Sequence, residues 1–259
     1  MNNKNVIAII PARMAATRFP GKPMKPLLGM PMIEHIWRRC LMCDSFNEVY
    51  VATCDDEIFK HITSLGGKAV MTLDTHERCT DRTTEALLKI EKNHGEKFDV
   101  IAMIQGDEPL VSPIVLNDAV MLMKKEVAPI VNLTGPITSE EEFQSPNIVK
   151  VVEDKNGFAM YFSRQPIPTV RAGVEAKRMR QTGLIFFERN FLLKFNELPQ
   201  MVCEKSESVD MMRVLEHGHK INLVFADVPC LTIDVPEDIS PVEEALKDDS
   251  FYLTYRADS

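Results

Sequence analysis

The sequence predicts an α/β fold in which helices flank a mostly parallel central sheet. The first observation is that apolar, β-branched runs alternate with segments of helical spacing over the first hundred residues. The second is that a chain of 259 residues, 45% hydrophobic and 26% charged, has the composition of a globular domain with a sizeable core. Strands that alternate with helices form right-handed βαβ units, which set the strands parallel.

Local signals give the elements of this alternation in order. Strands are predicted at 6–10, 48–53, 69–72 and 100–104, and helices at 31–43, 57–65 and 81–91. Pro11 is expected to end the first strand. The pair Gly66-Gly67 is expected to end the second helix, because glycine readily adopts the left-handed conformation that closes helices.

The pattern changes after about residue 128, where prolines divide the chain into shorter pieces. Residues 148–152 and 158–162 are predicted to form a hairpin that turns at 154–157. A strand at 221–225 leads to an extended run at 231–233, and a closing helix begins near Pro236. We therefore expect one domain over 1–259, in which a small mixed layer, about 129–235, covers a first part of about 1–128.

Composition excludes several classes of function. The net charge of −8 argues against sequence-independent binding of nucleic acid, which needs a basic face to neutralise phosphates. The chain starts without the features of a signal peptide, and no apolar run approaches the roughly 20 residues that span a bilayer. Six scattered cysteines indicate reduced packing residues rather than a disulfide framework. We expect a cytoplasmic protein without membrane insertion.

The loop at 11–22 follows the first strand and carries three cations among small residues, proline and glycine. Ligands of open α/β sheets bind beyond the carboxyl ends of strands, so a nucleotide is expected there. Arg13 and Lys22 are the candidate phosphate ligands, and Arg18 is a weaker one. The loop is not a Walker motif, and its composition alone also fits a solvated basic loop.

Two aspartates follow predicted strands. Asp107 comes shortly after 100–104, and Asp234 directly follows 231–233. A carboxylate at the carboxyl end of a strand can bind Mg²⁺, which prefers oxygen ligands. An aspartate in such a place can equally form a turn or cap a helix, particularly Asp234 ahead of Pro236.

The order of these motifs resembles that of the CMP-Kdo synthetases, cytidylyltransferases that activate 3-deoxy-manno-octulosonate (Kdo). The resemblance covers nearly the whole chain. It is carried by the loop at 11–22, Gln105-Gly106-Asp107-Glu108-Pro109, Asp234-Val235-Pro236-Glu237-Asp238, Val49-Tyr50-Val51-Ala52-Thr53, Gly66-Gly67, Thr80-Asp81-Arg82, Ser145-Pro146-Asn147 with Val149-Lys150-Val151-Val152, and Tyr161-Phe162-Ser163-Arg164.

This resemblance implies a nucleotidyltransferase enzyme with a Rossmann-like fold of the nucleotide-diphospho-sugar transferase type. It also implies a homodimer in which the first part of each chain binds CTP and the second part binds an acidic sugar and forms the dimer contact. The implied reaction transfers CMP to the sugar with Mg²⁺ and releases pyrophosphate. The activated sugar would serve the synthesis of cell-envelope lipopolysaccharide.

The resemblance also assigns roles to individual residues. The implied catalytic residues are Asp107, Asp234, Lys22 and Arg13, with Mg²⁺ on Asp107 and Asp234. The implied nucleotide-binding residues are Pro11, Ala12, Arg13, Lys22, Thr80, Arg82 and Gln105. The implied sugar-binding residues are Gln105, Arg164, Gln181 and Glu207. For Arg164 an interface or surface role stays open, for Glu207 a solvated helix face, and Lys150 fits either a strand-edge or a pocket position.

Two segments depart from the family pattern. The usual H-x-S-G-T-[DE]-R is His76-Glu77-Arg78-Cys79-Thr80-Asp81-Arg82 here, so larger side chains are expected near the base. The usual His-x-Gly-x-Tyr is the segment 181–185, which begins with Gln181 and ends with Ile185. Lost hydrogen-bonding partners imply a different pattern of sugar hydroxyls. An 8-amino-Kdo, a nonulosonate or a phosphonate acceptor, another nucleotide donor, and a non-catalytic nucleotide-binding protein therefore stay open.

Overall fold

The structure is a computed structural model that describes residues 4–15, 19–169, 171, 173–174, 176–228 and 231–256. The candidate phosphate ligand Arg18 and Cys230 lie outside the described residues. The other five cysteines are free thiols. Within the described ranges, no helix combines the length and apolar character needed to cross a bilayer.

Eleven strands occur in the described parts of the chain. They are β1 (Val6–Ala12), β2 (Pro26–Leu27), β3 (Met30–Pro31), β4 (Glu48–Thr53), β5 (Lys68–Met71), β6 (Val100–Ile104), β7 (Ile130–Pro136), β8 (Lys150–Glu153), β9 (Ala159–Ser163), β10 (Met179–Glu188) and β11 (Ile221–Phe225).

The large sheet has the strand order β11-β7-β10-β6-β1-β4-β5. Neighbouring strands are parallel, except that β10 runs antiparallel between β6 and β7. The predicted α/β class with a mostly parallel sheet is therefore confirmed. The predicted hairpin is also present: β8 and β9 are antiparallel, and β8 pairs with the start of β10, which joins the hairpin to the large sheet.

Helices cover both faces of this sheet. They are α1 (Met32–Leu41), α2 (Asp56–Ser64), α3 (Cys79–His94), α4 (Pro113–Met123), α5 (Glu140–Gln144), α6 (Arg189–Glu197), α7 (Val202–Glu207), α8 (Met211–Glu216), α9 (Ile239–Lys247) and α10 (Ser250–Tyr255), with 3₁₀ turns at Lys22–Met24 and Pro236–Asp238.

Strand β1 shows how the two core layers form. Its side chains point to opposite faces in turn, so Val6, Ala8 and Ile10 pack against α1, α2, α4 and α9, whereas Ile7 and Ile9 pack against α3, α6 and α8. Every residue of β1 is buried, as expected for a central parallel strand covered on both faces.

Two sequence-based predictions of strands near the carboxyl edge of the sheet are wrong. Strand β1 does not end before Pro11 but continues through Ala12. Its pairing with β6 ends at Ile9, so the last residues pair with β4 alone, and a missing N–H is tolerated at such an edge. The run 231–233 is not a strand; the backbone N–H of Ile233 donates to the carbonyl of Asp107 at 3.0 Å instead.

Candidate active site

Asp107, Asp234 and Lys22 meet at the carboxyl end of β6. The Nζ of Lys22 lies 3.7 Å from Oδ2 of Asp107 and 3.9 Å from Oδ1 of Asp234. The same ammonium donates to the carbonyl of Ile233 at 2.6 Å, which holds the segment that bears Asp234 beside β6. Residues more than 200 positions apart in sequence therefore form one charged centre.

The two carboxylates fit a divalent cation. Burial raises the pKa of Asp107, the ammonium of Lys22 lowers it, and the carboxylate of Asp234 raises it. Two half-buried carboxylates that share one lysine can accommodate a further positive charge, and carboxylate oxygens are the ligands that Mg²⁺ prefers. In the described ranges no group of three or more His, Cys, Asp or Glu residues is arranged for a metal, so nucleotide phosphates would complete the coordination.

A hydrogen bond joins the two ends of the candidate phosphate loop. The N–H of Gly21 donates to the carbonyl of Met14 at 2.9 Å, and Gly21 has φ 74°, a conformation that glycine adopts without strain. Lys22 follows as the first residue of a 3₁₀ turn. Arg13 is exposed and donates to the carbonyl of His76 at 3.1 Å. Pro11 and Ala12 form the buried end of β1 beneath this loop.

The start of α3 carries buried polar atoms without partners. Thr80 is 1% exposed and Arg82 is 3% exposed. Arg82 uses Nη1 to bind Thr72 Oγ1 and the Leu73 carbonyl, but its Nη2 and the Thr80 Oγ1 have no hydrogen-bond partner among the described residues. Buried polar atoms are normally satisfied, so these two fit groups that await a ligand.

Cys79 is the first residue of α3 and lies within electrostatic range of Asp107 and Asp210. Burial and the carboxylates of Asp107 and Asp210 raise the pKa of its thiol to about 12, against opposing effects of Arg13 and Arg82. Cys79 is therefore a protonated, uncharged side chain at neutral pH, and it contributes bulk rather than charge.

A cavity of about 320 Å³ opens beside the charged centre. Of the predicted residues, Gln105, Asp107, Arg164, Gln181 and Asp234 line it. Glu108, Arg180 and Asp210 line it too, and none of them was predicted from the sequence as a site residue. Arg78, which was expected near the base, also lines this cavity. Three arginines beside the carboxylates of Asp107 and Asp234 suit an anionic ligand.

A β-bulge shapes the wall that β10 contributes to this cavity. The pairing of β10 with β7 shifts between Gln181 and Ile185, and the buried Asn132 donates its amide hydrogens to the carbonyls of Thr182 and Leu184 at 3.1 Å each. Asn132 thus satisfies backbone groups that the bulge removes from the sheet.

Gly183 in this bulge is hydrogen-bonded to Gln105 and Glu108, which lie on either side of Asp107 in the sequence. Its N–H donates to Glu108 Oε1 at 2.6 Å, and its carbonyl accepts from the N–H of Gln105 at 3.2 Å. Burial and the charge of Asp107 raise the pKa of Glu108 to about 8. The cavity wall and the loop that bears Asp107 are therefore one hydrogen-bonded unit.

Two predicted sugar ligands are engaged in contacts with the protein itself. The guanidinium of Arg164 donates to the carbonyls of Glu207 at 2.7 Å, Pro146 at 2.8 Å and Ser208 at 3.3 Å. The carboxylate of Glu207 accepts from the Arg164 N–H and the Ser163 hydroxyl, both at 2.9 Å. Arg164 reaches the cavity wall, whereas the lining continues with Ser208 and Asp210 rather than Glu207.

Lys150, for which two positions were open, lies inside the protein. Its side chain is 0% exposed, and its Nζ donates to the carbonyls of Ser145, Ile148 and Arg164. Burial lowers its pKa, with a further contribution from the charge of Arg164. Lys150 therefore ties the hairpin to the loop before it and takes neither predicted position.

Glu85 supports the loop that holds Arg13. It accepts hydrogen bonds from His76, the Leu73 N–H and Lys89. Burial opposes ionisation, but these bonds from Lys89, Leu73 and His76 lower the pKa of Glu85 to about 2. A carboxylate whose folded-state pKa is lowered stabilises the fold above its unfolded pKa, and this contribution is lost as the pH falls from about 4.5 to 2.

We therefore expect Glu85→Gln to reduce the free energy of unfolding at pH 7 by about 1–2 kcal/mol, after allowance for solvent screening. The difference from wild type should shrink as the pH falls below about 4.5. Urea unfolding between pH 3 and pH 7 measures it. Glu244→Gln removes an exposed carboxylate paired with Lys247 and serves as the control that should change nothing. A difference independent of pH would contradict the role of the Glu85 charge.

Comparison with known proteins agrees with this geometry. Residues 7–221 match the family model described as cytidylyltransferase. Relatives include the 3-deoxy-manno-octulosonate cytidylyltransferases of Geotalea daltonii, 36% identical over 94% of this chain and 98% of the relative, and of Thermodesulfovibrio yellowstonii, 39% identical over 93% and 97%.

Solved structures are similar as well. A structure of CMP:2-keto-3-deoxy-manno-octonic acid synthetase complexed with CTP has a TM-score of 0.86 at 32% identity and covers 94% of this chain and 98% of that one. The 4-diphosphocytidyl-2C-methyl-D-erythritol synthase of Anaerococcus prevotii, 15% identical with a TM-score of 0.65, shares the fold.

These matches confirm the predicted family and the predicted enzyme class. Identity above 30% along almost the full length of both chains excludes a likeness confined to one motif. The charged centre at Asp107 and Asp234 and the cavity beside it lie within a fold shared with a CTP-bound synthetase. This chain is a nucleotidyltransferase that belongs to the cytidylyltransferase family, among the 3-deoxy-manno-octulosonate cytidylyltransferases.

Proposed function

We propose that the protein transfers CMP from CTP to a 3-deoxy-octulosonate-type acid sugar, Kdo or an analogue, and releases pyrophosphate in a Mg²⁺-dependent reaction. The observation that supports this proposal most directly is the cavity that joins Asp107 and Asp234 to three arginines. An acidic acceptor drawn to those arginines would lie next to the carboxylates. The relatives named above carry the same activity in their names.

The donor side of the proposal uses the loop at 11–22 and the start of α3. Arg13 and Lys22 would neutralise the triphosphate, and backbone N–H groups of the loop would bind its oxygens. The unpartnered Thr80 Oγ1 and Arg82 Nη2 would bind the nucleoside, since a cytidine offers acceptors for both. The similar synthetase was solved complexed with CTP, which supports CTP as the donor.

Asp107 and Asp234 would hold the Mg²⁺ ion. When bound, the ion supplies positive charge that offsets the charge of the reacting phosphate and helps to orient the groups around it. The chain itself contributes the arrangement of these carboxylates, which Lys22 and the Ile233 segment hold in place.

The reaction is a displacement at phosphorus. The sugar hydroxyl oxygen forms a bond to the α-phosphorus and gives up its proton to solvent. The bond between that phosphorus and the bridging oxygen to the β-phosphate breaks, and pyrophosphate leaves with that oxygen. Such a step depends on alignment and charge neutralisation more than on a strong base. Gln105, Gln181 and the cavity arginines would align the acceptor, and Lys22 would neutralise charge on the phosphates.

An assay of pyrophosphate release tests the proposal. Wild-type protein is incubated with CTP, Mg²⁺ and a panel of acids comprising Kdo, 8-amino-Kdo, a nonulosonate and a phosphonate, with UTP and GTP as alternative donors and EDTA as the metal control. We expect turnover with CTP and a Kdo-type acid only when Mg²⁺ is present. Turnover with a nonulosonate or a phosphonate alone would correct the acceptor.

Silence with every acid would contradict the proposal and favour a non-catalytic nucleotide-binding protein, provided that the protein is folded and binds CTP. The homodimer and the cytoplasmic location implied by the sequence analysis stay predictions, which sedimentation and cell fractionation test.

A further inference from the structure

The departures from the family pattern meet in one place. Arg78, which the sequence analysis placed near the base, lines the same cavity as Gln181 and Ile185. Arg78 is the N-cap residue of α3, whereas Gln181 and Ile185 belong to β10, so two elements distant in sequence have changed around one ligand space. If the proposed function holds, the altered residues line the space that would hold the acceptor.

The two altered residues of β10 provide little recognition of hydroxyl groups. The Nε2 of Gln181 donates to Oδ1 of Asn132 at 2.8 Å, so one of its amide hydrogens is already engaged within the sheet. Ile185 is apolar and only 2% exposed. Arg180 and Thr182 of β10 also line the cavity, but the side chain of each already contacts another group of the protein. Hydroxyl groups at the far end of an acceptor therefore need further partners on another wall of the cavity.

Arg78 and Asp210 provide such a wall. Asp210 is the N-cap residue of α8 and lines the cavity with Arg78. Arg78 Nη1 lies 3.1 Å from Oε1 of the fully buried Glu204, which is also bound by Arg213 at 2.6 and 2.7 Å. Since Arg213 already neutralises Glu204, Arg78 retains charge and N–H donors for the cavity, where its side chain is 34% exposed.

The charges of this wall decide which group it suits. An anionic group would be attracted by Arg78 and repelled by Asp210. An ammonium group would be attracted by Asp210 and repelled by Arg78. A neutral hydroxyl pair satisfies both residues, because one oxygen accepts from the guanidinium and the other hydroxyl donates to the carboxylate. Pairing a donor with an acceptor in this way leaves no buried charge without a partner.

We infer that Arg78 and Asp210 form a specificity subsite for the hydroxylated tail of the acceptor, binding the vicinal diol at the end of a 3-deoxy-octulosonate chain. The subsite determines which acid sugar is held beside Asp107 and Asp234. It takes no part in binding CTP.

Steady-state kinetics with Kdo test the subsite. We expect Arg78→Gln and Asp210→Asn each to raise the KM for Kdo about tenfold, because each loses a hydrogen bond to a charged group. The KM for CTP and kcat should stay within about twofold of wild type. Arg38→Gln is the matched control, since it also removes an arginine from a buried glutamate, Glu34, that keeps a second partner, His61.

An analogue that lacks the terminal hydroxyl, 8-deoxy-Kdo, isolates the contact. The wild-type enzyme should lose affinity for it by about the same factor, and the two variants should lose little more. Equal KM values for Kdo in wild type and both variants would overturn the inference. So would a lower KM for 8-amino-Kdo than for Kdo, which would make Asp210 a site for a cation, or a preference for a tail with a second acidic group.

Calorimetry separates this inference from the proposed function. Kdo is titrated into each variant in the presence of CMP, which cannot react. If wild type transfers no CMP, the proposed function fails, and the ratio of Kd values between wild type and Asp210→Asn still decides the subsite. A ratio of one overturns the subsite, and absence of Kdo binding by wild type overturns both.

Discussion

Replacement of Asp107 or Asp234 by asparagine is expected to lower kcat by about 10³-fold or more, since each would remove a proposed charged ligand of Mg²⁺, and such a ligand is worth several kcal/mol to the transition state. Asparagine keeps the volume and one oxygen of aspartate, so the backbone around Lys22 and Ile233 should not change. The loss should appear with CTP and Mg²⁺ at saturating concentrations. Kinetics of pyrophosphate release measure it directly.

Stability distinguishes a catalytic role of Asp107 from a structural one. Burial raises the pKa of Asp107, so its ionised form costs folding free energy at neutral pH. Asp107→Asn should therefore be at least as stable as wild type in urea unfolding. Asp118→Asn, on the exposed side of α4, is the matched control that should leave both rate and stability unchanged. Rates near wild type in Asp107→Asn or Asp234→Asn would refute the metal assignment.

Gly183→Ala is expected to reduce kcat/KM for the acceptor by about 100-fold, the effect of a misplacement near 1 Å. A Cβ atom at this position would lie 2.7 Å from Cβ of Gln105 and 2.8 Å from its Cδ and Oε1. Because Gly183 is bonded to both Gln105 and Glu108, the displacement would reach the loop that carries Asp107. We also expect a loss of about 1–3 kcal/mol in unfolding free energy from overpacking.

Two further variants separate crowding from general destabilisation. Gly95→Ala introduces a side chain at φ 74° with open space around it, at the end of α3, and should cost about 1 kcal/mol without changing kcat/KM. The double variant Gly183→Ala, Gln105→Gly removes all three crowded atoms of residue 105, including its Cβ, and should recover part of the lost stability. A double variant as unstable as the single one would contradict contact with Gln105 as the cause.

The meeting of Asp107 and Asp234 could be predicted because parallel strands end at one edge of a sheet. Asp107 is positioned by β6, which the sequence pattern predicts with its correct bounds. Asp234 was placed correctly for a wrong reason, since the run before it is not a strand and depends on bonds to Asp107 and Lys22. Asp234 was predicted from the order of motifs shared with the family rather than from a local sequence pattern.

The acceptor wall could not be predicted from local pattern. Strand β10 has a bulge between Gln181 and Ile185 that includes Gly183, and this bulge breaks the alternation that identifies a strand. It is antiparallel to both neighbours, and no local signal encodes such long-range pairing. Whether Glu207 or Asp210 faces the cavity depends on the left-handed Ser208, which separates α7 from α8. The cavity is therefore lined by Asp210, three positions after the predicted Glu207 in the same acidic stretch.

The two arginines on Glu204 have an evolutionary consequence. Because Arg213 and Gln200 keep Glu204 paired in the interior, we expect that residue 78 can vary without unfolding the protein. If the proposed subsite holds, a lineage could exchange that single cation and keep a folded protein. Acceptor preference could then change by point substitution at the cavity wall, without any change at Asp107 or Asp234.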